Sequence, residues 1–191
     1  MTLILNAQEP ATRVAPAPDE QQLPLAMHSA MEQRPQITLG QREADLIGSD
    51  QRALQAAVDF IAALGGGTVI IGPGEYAMRD SLHLRSHVTV RGTKGQTILR
   101  KSASVSSPLA LDGDFGEQQF TVNDASGFDV GDGVAIWDDR AGGFHTTVAR
   151  ITGRTGNTFS IDKPLMADCM VHQHATAATA FPVISGYDLE R

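Results

Sequence analysis

Between Gln51 and Leu64 the apolar residues Leu54, Ala57, Val58, Ile61 and Leu64 recur at three- and four-residue spacing, which places them on one stripe of a helix. Ser49 and Asp50 stand just before it, and either side-chain oxygen can accept from the orphan amides of a first turn, so the helix is expected to begin at Gln51. Gly65, Gly66 and Gly67 follow, and glycine just past the last apolar position is the usual left-handed stop. Beyond the glycines the period becomes strand-like and stays so. Short runs of β-branched residues and leucine at Thr68–Ile71, Ser81–Leu84, His87–Arg91 and Thr97–Arg100 alternate with glycine, proline or charged turns. Gly72, Pro73 and Gly74 are expected to make a sharp turn before Tyr76. Strands this short, with tight bends and no intervening helix, suit either a sandwich or a solenoid of small β-coils.

The alternation lengthens after Phe115. "QFTVNDASGFDVGDGVAIWDD" and "HTTVARITGRTGNTFSID" read as antiparallel strands, the second with a hairpin whose "GRTGN" turn lies between Ile151 and Phe159. The expected organisation is therefore an arm or linker over 1–35, a helix and first coils over 36–114, a small inserted antiparallel module over 115–165, and a return to short coil strands over 166–191. Residues 6–35 hold five prolines and no sustained apolar period, which is why they read as an arm.

Composition narrows the function classes. With 41% apolar residues the chain can bury a core. A net charge of -7 argues against nucleic-acid or anionic-membrane partners, because a surface rich in carboxylates repels phosphate. No run approaches the length of a membrane span, and "MTLILNAQEP" lacks the cationic start and apolar length of a signal peptide, so the compartment stays open. The single cysteine, Cys169, excludes an internal disulfide framework and a multi-cysteine zinc module. The glycine run raises the question of a phosphate loop, but its order is reversed: helix, glycines, then strand, so carbonyls rather than helix N-terminal amides face it.

Taken together, "SDQRALQAAVDFIAALGGGTVIIGPGEYAM" and "LHLRSHVTVRGTKGQTILRK" resemble the N-terminal cap and first coils of the pectate lyase-like (pectin lyase-like) superfamily of right-handed parallel β-helix proteins. The match covers about residues 45–101, and "FTVNDASGFDVGDGVAIWDD" with "GNTFSIDKPL" looks like an inserted β-module found in some members. The resemblance implies a mainly β fold: the N-terminal part of a right-handed parallel β-helix, one capping α-helix and an inserted small antiparallel β module. It implies a polysaccharide or oligosaccharide partner, often acidic, and a lyase, glycoside hydrolase or epimerase reaction. In such families the catalytic acids, bases or calcium ligands lie on middle coils, so they are expected downstream of this chain, leaving this fragment alone inactive. A second function class is a non-catalytic structural or glycan-binding segment, as in adhesins or phage tails. Because solenoid coils bury their faces only against neighbours, the open end is expected to be covered by further coils or by self-association.

Several residues carry candidate chemistry. Asp138, Asp139, Arg140 and His145 cluster in "WDDRAGGFHTT", where paired carboxylates with an arginine and a histidine can bind calcium, clamp a uronate or transfer protons; the alternative is a solvated hairpin tip. Trp137 is either a sugar-stacking platform or part of the module's core. "ADCMVHQH" contributes Asp168, Cys169, His172 and His174; on a strand the two histidines share a face as a possible metal pair, though no further cluster completes a zinc site. His83, Arg85, His87 and Arg91 on the early coils either line the start of a groove for acidic sugars or solvate the outside.

Overall fold

A computed structural model describes residues 34–190, so the expected arm lies, except for its last two residues, outside the described residues. The described chain is mainly β with one α-helix, α1 (Gln51–Ala63). Asp50 caps α1, its carboxylate accepting from the amides of Arg52 at 3.1 Å and Ala53 at 3.2 Å. At the other end the Gly66 amide donates to Ile61 and the Gly65 amide to Ala62, a paired closure that needs the left-handed Gly65, φ +87°. The next two glycines are required for a different reason: a Cβ on Gly66 would lie 2.5 Å from the His87 carbonyl, and one on Gly67 2.1 Å from that of Pro35. The expected helix and its glycine stop are both present.

Seven short strands surround the helix: β1 (Gln36–Gly40), β2 (Leu46–Ile47), β3 (Gly67–Ile71), β4 (Gly74–Met78), β5 (Leu82–His83), β6 (Val88–Gly92) and β7 (Thr97–Lys101). Pairing among them is parallel. β3 lies between β1 and β6, with Val69 opposite Ile37 and Val90, and β4 pairs with β7, Tyr76 opposite Leu99. The sequence shows no strand over Gly74–Met78, which reads as the exit of a Gly-Pro-Gly turn; the parallel partner β7 supplies the ladder that local pattern lacks. Leu39, Val69, Ile71, Tyr76, Met78 and Leu82 fill the core on one side, and Leu54, Ala57, Val58 and Ile61 of α1 close it.

The chain then leaves for a curled six-stranded antiparallel sheet of β8 (Ser106–Pro108), β9 (Gln119–Thr121), β10 (Gly133–Trp137), β11 (Thr147–Thr155), β12 (Thr158–Ile161) and β13 (Thr176–Ala178), in the order β8-β13-β10-β11-β12-β9. β8 and β13 lie outside residues 115–165 and join because β13 pairs with β10 and β8 pairs with β13. The β11–β12 hairpin turns at Gly156, φ +60°, and Asn157, within the expected "GRTGN" segment. Phe120, Phe128 and Phe159 form its centre, ring centroids 5.3–6.5 Å apart. After β13 the chain returns as β14 (Ile184–Ser185) and pairs in parallel with β5, Ile184 opposite Leu82 and Ser185 opposite His83. Three strands of one coil thus carry three parallel partners, β6, β7 and β14, with residues 102–183 intervening before the third.

Contacts at Arg79 fasten the antiparallel sheet to the coils. Arg79, following β4, donates through Nε and Nη2 to both oxygens of Asp132 at 2.7 Å each, and Nη2 also lies 3.0 Å from Asp129. Beside it Gly133 donates to the Arg79 carbonyl at 2.8 Å, and a Cβ there would meet Asp80 Oδ1 at 2.6 Å. The segment holding His172 and His174 is a 3₁₀ turn, Val171–Gln173, and His174 closes it in the left-handed conformation, φ +59°, so no strand gives the two imidazoles a shared face. Asp112 and Asp138 take the amides of Val171 and Met170, bonds that a ladder would otherwise use.

Candidate functional site

Most of the residues singled out in "WDDRAGGFHTT" and "ADCMVHQH" meet at one end of the antiparallel sheet. Trp137 ends β10 and is half-buried. Asp138, only 2% exposed, turns inward: Oδ1 accepts from the amides of Arg140 at 2.8 Å and Ala141 at 2.5 Å, and Oδ2 from Met170 at 2.9 Å. Burial alone would raise this carboxyl, but the amides of Met170, Ala141 and Arg140, with the Arg140 guanidinium, outweigh it and hold the group below the usual carboxylate range. Asp138 is therefore an ionised fastener of the 138–141 turn to the 165–175 segment.

Asp139 points the other way. Its Oδ2 lies 2.7 Å from His174 Nδ1 on the open surface, and this bond, with the attraction between the two charges, raises the imidazole's pKa. The Asp138 and Asp139 carboxylates thus do not converge on one ligand position. Asp168 accepts from the Phe115 amide at 2.8 Å and so holds the 111–116 loop against the 165–175 segment. Cys169 is buried beneath; burial first, then the nearby Asp138 and Asp168 charges, push its thiol up to about 11.

Between these segments opens a pocket of about 480 Å³ lined by Arg140, His145, Asp168, Met170, His172 and Gln173. His145 reaches it from the 3₁₀ turn Gly143–His145, whose Phe144 is 97% exposed. The pocket offers a guanidinium, two imidazoles, an amide and the Asp168 carboxylate, with an exposed phenyl ring on the adjoining turn. Such a set donates hydrogen bonds to an oxygen-rich ligand and presents a flat apolar face to carbohydrate C–H groups. Among the described residues no group of three or more His, Cys, Asp or Glu side chains is arranged to hold a metal ion.

The coil residues fall in separate places. Arg85 pairs with Asp59 of α1 at 2.9 Å, His87 sits at a left-handed turn, φ +62°, and Arg91 is exposed on β6. His83 is fixed from two sides. Its amide donates to Gln55 Oε1 at 2.8 Å and its carbonyl accepts from Gln55 Nε2 at 3.1 Å, while Nε2 lies 3.1 Å from Asp80 and Nδ1 2.9 Å from the Ser185 hydroxyl. Gln173, Asp80 and Ser185 were not legible as site residues; Ser185 lies 102 positions from His83, and only the β5–β14 pairing joins them.

No protein-family model matches the chain, and no curated protein matches it. No helix among the described residues is long and apolar enough to cross a membrane. Three similar solved structures are phage tailspikes. The Gp54 tailspike of Acinetobacter baumannii bacteriophage AP22, solved in complex with A. baumannii capsular saccharide, is 15% identical over 71% of this chain, with a TM-score of 0.37. Tailspike gp61 of Pseudomonas phage phi297 is 16% identical over 72%, TM-score 0.38, and tailspike gp49 of Pseudomonas phage LKA1 is 22% identical over 70%, TM-score 0.34. The chain spans about a quarter of each tailspike, 26%, 26% and 25% of their respective lengths.

Proposed function

We propose that this chain is the capped first-coil region of a carbohydrate-active right-handed parallel β-helix protein that engages polysaccharide. The observation that carries this reading is the set of parallel pairs β3–β6, β4–β7 and β5–β14, in which each face of one coil finds its partner in the next while α1 closes the core. The sequence resemblance to the cap and first coils of pectate lyase-like proteins points the same way. Within this chain the Arg140, His145, His172 and Gln173 pocket is the place where an acidic or hydroxyl-rich sugar is held. Its role is binding, because Asp138 is fully engaged by backbone amides and offers no proton to a substrate.

A panel of neutral and uronic-acid polysaccharides titrated into the chain, followed by calorimetry and by the fluorescence of Trp137, tests this. Saturable binding is expected, weakened at least tenfold by Arg140→Ala and by His145→Ala. No binding across the panel, or equal binding by both variants, overturns it. Lyase or hydrolase chemistry in the wider protein is followed separately, by ultraviolet absorbance of unsaturated ends and by reducing-end release.

A further inference from the structure

The parallel pairing of β5 with β14 sets Ser185 directly beside His83, and parity decides where both point. Leu82 is buried in the coil core, so its neighbour His83 faces outward, and Ser185, opposite it, faces outward too. The Ser185 hydroxyl lies 2.9 Å from His83 Nδ1, and His83 Nε2 lies 3.1 Å from Asp80 Oδ2. In the tautomer whose Nε2–H donates to the Asp80 carboxylate, Nδ1 is the acceptor for the serine hydroxyl. Asp80 is buried, its side chain 8% exposed, and Gln55 holds the His83 backbone through both its amide and its carbonyl. Of the three residues, His83 and Asp80 border an open cleft of about 490 Å³ between α1 and β11, and Ser185 meets the other ring nitrogen of His83 from β14, outside that lining.

A hydroxyl, a base within hydrogen-bonding reach and a buried group orienting that base are the parts of an activated nucleophile. We propose that Ser185 and His83, positioned by Asp80, hydrolyse short-chain acyl esters, an activity that goes beyond the polysaccharide reading and does not depend on it. Ser185 Oγ attacks the acyl carbon while its proton passes to His83 Nδ1, and the resulting imidazolium is stabilised by Asp80. The tetrahedral adduct expels the alcohol oxygen, which takes that proton from Nδ1, leaving Ser185 acylated. Water then attacks the acyl-serine, giving one proton to Nδ1, and collapse returns it to Ser185 Oγ with release of the carboxylic acid. Ester and water are consumed, and acid and alcohol are formed.

The test uses the intact chain with p-nitrophenyl acetate as substrate and a fluorophosphonate as covalent probe, the adduct being mapped by peptide mass spectrometry. An adduct on Ser185 is expected, with hydrolysis lost in Ser185→Ala and in His83→Ala. Asp80→Asn is expected to lower kcat at unchanged KM, a split that a purely structural clamp would not produce. Thermal melts of each variant separate lost chemistry from lost folding, and the probe experiment on the natural chain stands even where a variant fails to fold. Absence of an adduct on Ser185, or hydrolysis undiminished in folded Ser185→Ala, overturns the proposal.

Discussion

Replacing Arg79 by alanine isolates the bond between the two halves of the fold. Asp132 is buried, its side chain 3% exposed, and accepts two 2.7 Å bonds from Arg79, whose own side chain is 42% exposed. Without the guanidinium the Asp132 carboxylate keeps only the Asp129 amide, at 2.9 Å. Removing one member of a fully buried pair costs about 3–5 kcal/mol, and solvent screening at the half-exposed guanidinium brings the expected cost of Arg79→Ala to about 2–3 kcal/mol. Asp132→Asn should cost less, about 1–2 kcal/mol, because Arg79 can turn to water and to Asp129 rather than stay buried and unpaired. At about 2–4 °C per kcal/mol for a chain of this size, the Arg79→Ala melting temperature falls by about 4–12 °C. Differential scanning calorimetry at neutral pH reads both values. Arg79→Ala within about 0.5 kcal/mol of the natural protein, or Asp132→Asn the more damaging of the two, would refute the reasoning.

Other outcomes follow from single sites. Asp138 has a folded pKa below its unfolded value of about 3.9, so its contribution is present above that pH and disappears as pH falls through the folded value. Asp138→Asn is expected to cost about 1–3 kcal/mol at pH 7 and to flatten the loss of melting temperature between about pH 5 and 2. Gly133→Ala drives a methyl against Asp80 Oδ1 and, at 2.8 Å, against Phe181 Cβ, and should destabilise by about 1–3 kcal/mol in chemical denaturation. Cys169, buried with its thiol held at about 11, should resist a thiol-reactive dye in native buffer and react promptly in denaturant. The Asp139–His174 bond raises the histidine's folded pKa, so an NMR titration of His174 should move down toward about 6.5 in Asp139→Asn.

The parts of the fold that were legible are those whose signal is local. Asp50, the Leu54–Leu64 stripe and the glycines of 65–67 specify a capped helix within twenty residues, and Gly156–Asn157 marks a hairpin turn by its backbone demands alone. β4 was hidden because Gly74–Met78 becomes a strand through β7, over twenty residues away, and the Gly-Pro-Gly turn before it dominates the local pattern. β8 and β13, three residues each, hold too few side chains to show a period; β13 becomes a strand against the distant β10, and β8 against β13. Residue types drew attention to "WDDRAGGFHTT" and "ADCMVHQH", and the structure brings Arg140, His145, Asp168 and His172 to one pocket. The roles of the acids there were not legible, since an Asp that serves backbone amides has the same letter as one that serves a ligand. Asp138 and Asp139 differ only in which way the end of β10 turns them. Asp80 and Ser185 carried no motif at all: Asp80 is three residues from His83 with nothing in the sequence to mark the contact, and Ser185 reaches His83 only because the chain that leaves after β7 comes back at β14.

The first-coil reading depends on the strands around α1 being stacked in parallel register, and an engineered disulfide reads that register directly. Glu75 and Ile98 stand opposite each other on the outward faces of β4 and β7, and the buried Cys169 thiol does not compete. Neighbouring parallel strands lie about 4.8 Å apart, within the span a disulfide bridges. The double variant Glu75→Cys, Ile98→Cys is expected to close an intramolecular disulfide under mild oxidation, detected as a linked tryptic peptide. Glu75→Cys with Arg154→Cys, on the far hairpin, should remain reduced. Failure of the 75–98 pair to link in the folded protein, or linkage of 75 to 154 with equal ease, would contradict the parallel coil arrangement.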